Sequence, residues 1–452
     1  MQLRDYQEED VQKLIKLPAA GVFNEQRTGK TPTAIVATEQ VGVERLLIVC
    51  PSSIVYKWAE EYKLWTGKDA DVINSASKFN KDTDKTRLQY SCLIINYENL
   101  RDNGKNKGAW EKLVKKYKPD GLIVDEAHRV KNRQSANFKA VKKFVHSRFR
   151  LYLTGTPAPN KPWDVWAILH LIRPDVFSSY WAFIENYFEQ ETVYFGGNPI
   201  NMPIKFKLGM DILLQRNLNT ISVMRKRKDV MPWLPTIDSP TEIKLPCTAT
   251  QKRYIQELET NFETEHVNTQ SILEQLIRIR QICAAPSILK LKGGSPKIDW
   301  LKLYIRDYPD KSIIVFSNST RFIHEIEQSL GSGVTFGVIV GATPLRLRRH
   351  YVADFQKGTT KLLIIQTQAG KEGLTLDRAD VTIFLDTYPP AADYSQAKDR
   401  MIATTPENVR PQEIIHIMMK DTYDEHLYRL VKQGISSTEV VNDYIKYIKE
   451  RS

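Results

Sequence analysis

The chain has 452 residues, of which 42% are hydrophobic, so it can bury large cores, and wholesale disorder is excluded. At roughly 150 residues per domain, this length predicts two or three domains. The formal net charge is +12 at pH 7. That charge favours an acidic partner, nucleic acid before membrane, although an inert basic surface fits it equally well.

Cysteine usage and the lack of long apolar runs narrow the class of protein further. The four cysteines, at positions 50, 92, 247 and 283, show no metal-ligand spacing, and the chain is too long for a disulfide scaffold. We therefore expect a reducing compartment and no structural metal. The chain is charged from Arg4 onward, unlike a signal peptide, and no apolar run reaches the roughly 18 residues of a membrane span. We expect a cytoplasmic location, bacterial or host, and no membrane partner.

Short runs rich in Ile, Leu and Val predict strands that are buried on both faces, as in parallel sheets. In chain order these runs are residues 45–50, 91–97, 121–126, 150–155, 312–317, 361–367 and 381–386. Helical patterns lie between them, for example at 53–65 and 320–330. The alternation of strand and helix predicts an α/β protein with doubly wound parallel sheets.

The predicted strands form two groups, separated by a stretch of different character. This stretch holds aromatic helices, a Gly- and Pro-containing piece at 192–206 that reads as a hairpin, and a basic segment ending in prolines. We predict an N-terminal lobe at 1–228 with a helical and hairpin insertion near 160–225. A linker near 225–240 leads to a C-terminal lobe at 229–452.

The stretch NEQRTGKTPTAI, residues 24–35, ends a predicted phosphate-binding loop at Gly29-Lys30-Thr31. Backbone N–H groups at the start of the following helix can face anionic oxygens. Lys30 can reach the β- and γ-phosphates, and Thr31 can hold a magnesium ion. Asn24 stands where the usual pattern has glycine, so the tripeptide alone is weak evidence.

A pair of carboxylates strengthens the prediction of a nucleotide site. In GLIVDEAH, residues 121–128, an apolar strand delivers Asp125 and Glu126 to its end. Asp125 can bind magnesium, and Glu126 can polarise an attacking water as a general base. The predicted cofactors are therefore ATP and Mg²⁺.

With these residues in place, the order of motifs resembles superfamily-two DNA helicases and translocases, specifically the Swi/Snf-like branch with its DEAH-type acidic motif. The resemblance covers nearly the whole chain. It rests on LRDYQ (3–7), NEQRTGKT (24–31), LIVCPSSIVYKWAEE (47–61), INYENL (95–100), VDEAHRVKN (124–132), LTGTPAPN (153–160), VGATPLRLRRHYVADFQ (340–356), IIQTQAGKEGLTLDRADVTIFLD (364–386) and YSQAKDR (394–400). It implies two RecA-like lobes in tandem, with ATP in the cleft and a nucleic-acid strand across both.

The resemblance also implies roles for individual residues. Catalysis is assigned to Lys30, Asp125, Glu126, Gln396 and Arg400. Nucleotide binding is assigned to Gln7 (reading adenine), Arg27, Thr28, Gly29, Lys30, Thr31 and Gly373, with Thr31 and Asp125 on Mg²⁺. Nucleic-acid contacts are assigned to Pro51, Ser52, Lys57, Asn96, Thr154, Ser317, Thr367 and Gln368, and His128 to a hydrogen bond between the lobes.

Two positions depart from the family pattern. Arg27 replaces a glycine of the phosphate loop, which predicts a change in the loop's path. Ala403 stands where the last motif of the family has a second arginine, the finger that contacts the γ-phosphate. Loss of such a finger costs about 10³-fold or more in rate. Either Arg400 supplies the charge, or Arg410 does, or the ATPase is slow.

Basic clusters and tryptophans carry weaker signals. The clusters at 112–118, 225–228 and 345–349 can neutralise phosphates or be solvated faces. Four tryptophans at helical spacing are predicted to be core rather than base-stacking residues: Trp58, Trp65, Trp163 and Trp166.

The expected function is an ATP-dependent helicase or translocase, phage or bacterial, that acts as a monomer on duplex, forked or junction DNA in replication, recombination or repair. The short chain, with little beyond two lobes, favours remodelling of branched DNA over chromatin. The hairpin at 192–206 is either a strand-separating wedge or purely structural. Two alternatives stay open: an ATP-gated DNA-binding switch with little turnover, and an RNA helicase.

Overall fold

The structure, a computed structural model, describes residues 2–74, 86–101, 108–158, 161–195, 198–234, 240–370, 374–386, 397–403, 409–433, 440 and 443–448. The predicted site residues Gly373 and Gln396 lie outside these ranges. The chain divides into two compact units, Met1–Pro232 and Trp233–Ser452. The division falls within the stretch 225–240, for which a linker was predicted.

The first unit is built on a seven-stranded sheet whose paired strands all run parallel, in the order β3-β4-β2-β5-β6-β1-β9. The strands of this unit are β1 (Ala19–Val22), β2 (Leu46–Cys50), β3 (Asp71–Ile73), β4 (Cys92–Asn96), β5 (Gly121–Asp125), β6 (Phe149–Leu153), β7 (Phe188–Phe195), β8 (Asn198–Phe206) and β9 (Ser222–Val223). Strands such as β2 and β4 are buried along their whole length, because helices cover both faces of the sheet.

The helices of the first unit follow its strands in alternation. They are α1 (Asp5–Leu14), α2 (Lys30–Gln40), α3 (Val55–Thr66), α4 (Tyr97–Leu100), α5 (Ala109–Tyr117), α6 (Ala136–Lys142), α7 (Trp166–Ile172), α8 (Tyr180–Tyr187), α9 (Met210–Ile221) and α10 (Arg227–Val230), with short 3₁₀ helices at Thr86–Gln89, Ala127–Val130 and Pro162–Val165. The helices and hairpin predicted near 160–225 correspond to α7, α8, β7–β8 and α9.

The hairpin of β7 and β8 projects from the first unit. It is anchored at the start of β7 and the end of β8, because the Phe188 and Phe206 rings stack there with centroids 4.6 Å apart. Beyond this anchor its apolar side chains are exposed, among them Tyr194 at 71%, Ile200 at 43% and Ile204 at 53%. A two-stranded ribbon with both faces in water is marginally stable by itself, so its anchor fixes its position.

The second unit contains a six-stranded sheet, again with all pairs parallel, in the order β10-β17-β16-β13-β15-β14. Its strands are β10 (Thr241–Leu245), β11 (Glu263–Thr264), β12 (Val267–Asn268), β13 (Ile313–Ser317), β14 (Phe336–Ile339), β15 (Leu362–Gln366), β16 (Val381–Phe384) and β17 (Glu413–Met419). Strands β11 and β12 form a separate small hairpin.

The helices of the second unit pack on both faces of this sheet. They are α11 (Ala249–Asn261), α12 (Ile272–Ala284), α13 (Pro296–Asp307), α14 (Thr320–Leu330), α15 (Leu345–Lys357), α16 (Thr367–Gly370) and α17 (Tyr423–Lys432), with 3₁₀ helices at Pro286–Leu289 and Gly331–Gly333. The predicted fold class, two doubly wound parallel-sheet α/β lobes in tandem, is confirmed.

A buried ion pair joins elements that are distant in sequence within the second unit. The ammonium of Lys297, on α13, lies 2.6 Å from the Asp424 carboxylate on α17 and donates to the Leu385 carbonyl at 2.7 Å. Asp424 also accepts a hydrogen bond from the Met419 amide at 2.9 Å. Lys297 has no exposed surface, so water cannot replace any partner that is lost.

Replacing Lys297 with Met should lower the free energy of unfolding by about 3–5 kcal/mol, because Asp424 is left as an uncompensated buried charge. Urea denaturation followed by circular dichroism measures the change. The exposed pair Lys361–Asp310, at 3.0 Å, supplies the control. Lys361→Met should cost less than about 1 kcal/mol. Equal losses of unfolding free energy in the two variants would contradict the inference that burial makes the Lys297–Asp424 pair important for stability.

Candidate functional site

The phosphate loop lies between the end of β1 and the start of α2, where the sequence predicts it. Gly29 precedes α2 with a φ of 77°, in the left-handed region that favours glycine. A Cβ on Gly29 would lie 2.1 Å from the side-chain nitrogen of Gln7. The backbone therefore turns sharply at Gly29 and presents the first N–H groups of α2 as an anion site.

The two departures in this loop have physical explanations. Asn24 has no exposed surface, and its amide nitrogen donates to the Asp10 carboxylate at 2.8 Å, so the side chain holds the loop against α1. Arg27 has a φ of 69°. It thus keeps the left-handed conformation that a glycine adopts readily, at a cost of about 1–2 kcal/mol for an L-residue. The predicted effect of Arg27 on the path of the loop stays a prediction.

Lys30, at the start of α2, folds back over the loop. Its ammonium donates to the carbonyls of Asn24 and Glu25, at 3.0 and 3.1 Å. Thr28 is buried and donates to the same Glu25 carbonyl at 2.8 Å, whereas Thr31 is partly exposed. Because carbonyl oxygens are weaker partners for an ammonium than phosphate oxygens, Lys30 is poised to exchange them for a phosphate.

Glu25 connects this loop to the chain that follows β9. Its amide donates to the Arg225 carbonyl at 3.0 Å, and its carboxylate accepts from the Arg227 amide at 2.8 Å. The Arg225 guanidinium in turn lies 2.8 Å from the buried carboxylate of Asp10. Residues 225–227 and α1 are therefore both bonded to the phosphate loop.

Gln7, predicted to read adenine, is occupied by internal bonds. Its amide nitrogen donates to the Thr28 carbonyl at 3.1 Å, and its amide oxygen accepts from the Arg4 backbone N–H at 2.9 Å. The Tyr6 hydroxyl donates to the same Thr28 carbonyl at 2.9 Å. Gln7 is 6% exposed, so in this structure it holds the loop, and adenine reading stays a prediction.

The two predicted carboxylates lie at the end of β5. One Asp125 oxygen accepts from the Trp58 indole N–H at 2.8 Å, and the other from the Glu126 backbone N–H at 2.8 Å. Burial, and then the neighbouring Glu126 charge, raise the pKa of Asp125 to about 6, against a lowering by the Lys30 ammonium. Lys30 and Asp125 are thus close enough to interact, since β1, β6 and β5 end at the same edge of the sheet.

The donor set at this edge fits a magnesium ion. Carboxylate and hydroxyl oxygens are the ligands that Mg²⁺ takes in proteins, and Asp125, Glu126 and Thr31 supply them. The raised pKa of Asp125 reflects a buried negative charge beside a second one. A divalent cation would relieve that repulsion and favour the ionised carboxylates.

His128 connects the acidic motif to the end of β6. Its Nδ1 lies 3.3 Å from the Glu126 carboxylate and 3.2 Å from the Thr154 hydroxyl. Thr154 also accepts a hydrogen bond from the Thr156 amide at 3.1 Å. The ends of β5 and β6 are therefore linked through one imidazole, within the first unit. The inter-lobe role of His128 stays a prediction.

The predicted nucleic-acid contacts of the first unit fall into two groups. Ser52 and Lys57 are exposed and can meet a ligand. Pro51, Asn96 and Thr154 are buried. The Asn96 side chain caps α4 by accepting from the Asn99 amide. Their side chains shape the strand ends, and the role of these three positions in nucleic-acid binding stays a prediction.

The second unit shows the same division. The Ser317 hydroxyl donates to the Asp386 carboxylate at 2.7 Å and has no exposed surface, and its contact with nucleic acid stays a prediction. Thr367 is 4% exposed, and its hydroxyl has no hydrogen-bond partner among the described residues. Gln368 is exposed at the carboxyl edge of the sheet and is available to a strand.

The candidates for the arginine finger occupy different parts of the second unit. Ala403 is 4% exposed, so its position is packed into the core. Arg400 is partly exposed, and its carbonyl accepts from the Leu376 amide. The Arg410 guanidinium lies 4.0 Å from Asp380, just before β16 begins. Arg410 is therefore at the amino edge of the sheet, opposite to Ser317 and Thr367, which disfavours it as a substitute.

The sequence did not reveal the supporting residues of this site. Trp58 was predicted only as core; it is 2% exposed, and it also donates to Asp125. Trp166 is buried, while Trp65 and Trp163 are half-buried against the cores. The Asp10–Arg225 pair had no sequence signal, because its members are 215 residues apart.

Two further findings concern only the residues that the structure describes. Among them, no group of three or more His, Cys, Asp or Glu side chains could bind a metal ion. None of the described helices has both the length and the apolar character needed to cross a bilayer.

Gln7→Ala should weaken ATP binding and lower the melting temperature of the first unit, because the Thr28 carbonyl and the Arg4 amide each lose a partner. A lost buried hydrogen bond costs about 1–3 kcal/mol. Tyr6→Phe is a second test, since it removes the other donor to the Thr28 carbonyl and should lower the melting temperature in the same direction. If Gln7→Ala changes only the preference for ATP over GTP, with no loss of stability, the loop-holding role is wrong.

Comparisons with known proteins show the family to which the chain belongs. The family model described as "SNF2-related domain" matches residues 20–288, and "Helicase conserved C-terminal domain" matches 296–403. A Mus musculus relative, "SWI/SNF-related matrix-associated actin-dependent regulator of chromatin subfamily A member 1", is 24% identical over 100% of this chain and 44% of its own. A Bos taurus relative, "DNA annealing helicase and endonuclease ZRANB3", is 27% identical over 84% of this chain and 35% of its own. The chain thus spans less than half the length of these curated relatives.

A solved structure shows the likeness in fold. The "Pyrococcus furiosus Hef helicase domain" matches with a TM-score of 0.56 and 15% identity, over 94% of this chain and 98% of that one. The SNF2-related model alone matches more than half of the chain, through residues 20–288. The chain belongs to the SNF2-related family.

Proposed function

We propose that this SNF2-related chain is an ATP-driven motor that translocates on DNA. The observation that carries the proposal is the placement of Lys30 and the Asp125–Glu126 pair at one edge of the first sheet. Lys30 is near enough for its charge to lower the pKa of Asp125, although burial dominates and raises it. Phosphoryl transfer to water requires a cation and backbone N–H groups that bind the phosphates, and carboxylates that hold a metal ion and orient the water. Lys30 at the start of α2 and the Asp125–Glu126 pair at the end of β5 are groups of these two kinds.

Each residue has a definite part in this chemistry. Lys30 exchanges the carbonyls of Asn24 and Glu25 for phosphate oxygens, and the N–H groups after Gly29 bind the same anion. Mg²⁺, held through Asp125 and Thr31, would offset the charge on the phosphates. Glu126 orients the attacking water and accepts its proton. His128 contacts both Glu126 and Thr154. A change in the charge or position of the Glu126 carboxylate would therefore affect Thr154, at the end of β6, through this imidazole.

Contacts to the DNA backbone suit a motor, because phosphates carry no sequence information. The exposed predicted contacts Ser52, Lys57 and Gln368 follow strands of the two sheets. The net charge of +12 supports salt-sensitive binding to a polyanion. We also propose that closure of the two lobes couples DNA binding to ATP turnover.

We further propose that the substrate is branched DNA, in replication, recombination or repair. The hairpin of β7 and β8 supports this, because it presents exposed apolar side chains that could stack against bases at a branch point. The similarity to a protein described as a DNA annealing helicase supports it as well. The bacterial or phage setting, the cytoplasmic location and the monomeric state belong to the same proposal.

The packed position of Ala403 favours one alternative, an ATP-gated DNA-binding switch with little turnover. Stimulation of phosphate release by DNA separates the two functions, since a switch would show binding without stimulation. An RNA helicase is the other alternative. Comparing how strongly duplex DNA and RNA of equal length stimulate ATP hydrolysis decides between a DNA motor and an RNA helicase.

Lys30→Ala should abolish DNA-stimulated ATP hydrolysis, because the phosphates lose their cation, while DNA binding stays measurable. Phosphate release and fluorescence anisotropy with labelled duplex provide the two measurements. Lys63→Ala, at an exposed ion pair with Asp69 on α3, is the matched control and should keep wild-type turnover. Turnover that persists in Lys30→Ala would refute the assigned site. A wild-type rate that DNA does not change would refute the motor.

Substitutions on the apolar face of the hairpin should impair strand separation at a fork about 10-fold, because aliphatic side chains act as a wedge that unstacks a base step, which costs about a few kcal/mol per step. Alternate residues of a strand face opposite sides, so Ile200 and Met202 share one face and Asn201 faces the other, opposite Thr192. Ile200→Ser/Met202→Ser is the test variant, and Thr192→Ala/Asn201→Ala is the matched control. Equal unwinding by both variants in a labelled-fork assay would make the hairpin purely structural.

A further inference from the structure

A cavity of about 360 Å³ opens in the first unit at the base of the hairpin; we name it the root cavity. It contains the two kinds of side chain that single-stranded nucleic acid requires, flat aromatic rings and cations. Its aromatic residues are Trp163, Trp166 and Tyr180, and its cations are Lys131, Arg133 and Lys161. It is separate from the phosphate loop and from the predicted contacts at the strand ends.

The root cavity is continuous with the anchor of the hairpin. The Trp163 ring packs edge-to-face on Phe188, with centroids 5.5 Å apart, and Phe188 is the first residue of β7. Phe188 stacks in turn on Phe206, the last residue of β8. A strand that the hairpin separates from its partner would therefore pass close to this cavity.

The charge around the root cavity suits a nucleic-acid strand. Three cations, Lys131, Arg133 and Lys161, and one carboxylate, Asp164, line the cavity, in a chain whose net charge is +12. The Arg133 guanidinium lies 4.5 Å from the Tyr180 ring centroid, and the Lys161 ammonium 5.4 Å from that of Trp163. Each cation thus lies over an aromatic face, an arrangement that positions a phosphate beside a stacking surface.

One polar group inside the root cavity can bind the edge of a base. The Asp164 carboxylate lines the cavity, 3.7 Å from the Lys131 ammonium, and can accept from an exocyclic amino group. The indole nitrogen of Trp166 has no hydrogen-bond partner among the described residues, but it is itself buried, so a base could use it only if the Trp166 side chain moved. An acceptor beside aromatic rings suits a heterocycle better than a phosphate alone.

We propose that the root cavity binds one unpaired nucleotide of the DNA strand that the hairpin displaces. The volume lies at the small end of the range of ligand pockets, about 300–1,000 Å³, which suits a single nucleotide. The base stacks on the aromatic wall, and its phosphate meets Arg133 and Lys161. This inference rests on the proposed function for its substrate. The first unit would then bind the displaced strand at the root cavity. The strand along which the motor moves would be bound separately, by the predicted contacts at the strand ends.

The test variant is Arg133→Glu/Lys161→Glu, assayed without ATP by fluorescence anisotropy on a fork with one single-stranded arm and on a blunt duplex of equal charge. We expect the fork to bind about 10-fold more weakly and the blunt duplex to change less than about 2-fold. Lys139→Glu/Lys142→Glu, the same charge change on exposed positions of α6, is the matched control. It should weaken both DNAs to the same small extent. Equal losses in test and control variants would overturn the proposal.

A second measurement separates a nucleotide from a bare phosphate. Wild-type protein should bind a fork with abasic sites next to the branch point at least about 5-fold more weakly than the intact fork, because the phosphates remain and the stacking partner is gone. Equal affinity for the two forks would overturn the proposal. Competition by a phosphoserine peptide but not by an oligothymidylate would also overturn it, and would assign the cavity to a phosphorylated protein.

The outcome is distinguishable from that of the proposed function. Blunt-duplex-stimulated ATP hydrolysis is measured in the same variants, and Arg133 and Lys161 belong to neither the ATP site nor the strand-end contacts. Selective loss of fork binding with normal stimulated hydrolysis supports the root cavity. If the wild-type protein shows no stimulated hydrolysis, the motor fails while the binding comparison still decides the fate of the cavity.

Discussion

The juxtaposition of two carboxylates at the end of an apolar strand is the constraint on which the site depends. Burial beside Glu126 disfavours the charged form of Asp125, and the structure offsets this with the Trp58 indole, a backbone N–H and the Lys30 charge. These partners come from α3, from the residue after β5 and from α2, and α2 and α3 pack in the same core on one face of the first sheet. A shift of any of these elements would leave a buried charge without compensation.

The phosphate loop is held by two elements, α1 and the chain after β9. Gln7 and Tyr6 hold it from α1, Asp10 holds it through Asn24, and Arg225 contacts Glu25 from the chain after β9. These bonds explain how a loop that lacks two of the usual glycines still turns correctly. Arg27 adopts the left-handed conformation because its neighbours are fixed, and the asparagine is needed as a donor.

The sequence was sufficient for the fold class and for the positions of Lys30, Asp125 and Glu126, because parallel strands buried on both faces read as continuous apolar runs and their carboxyl ends share an edge. Strand β17 was not predicted, although EIIHIMM is apolar, and β3 is too short to stand out. The internal partners of the Thr154 and Ser317 hydroxyls were not predicted, since the hydrogen bonds to His128 and Asp386 join residues far apart in the chain. Local patterns do not encode such partners.

The bonds of Glu25 connect a movement of the Lys30 side chain to the residues that follow β9. Its carbonyl accepts from Lys30 and Thr28, its amide donates to the Arg225 carbonyl, and its carboxylate accepts from the Arg227 amide. When Lys30 turns toward a different oxygen, Glu25 loses one restraint while the other bonds persist. The single residue Glu25 thereby links the position of the Lys30 ammonium to residues 225–227, through its carbonyl on one side and its amide and carboxylate on the other.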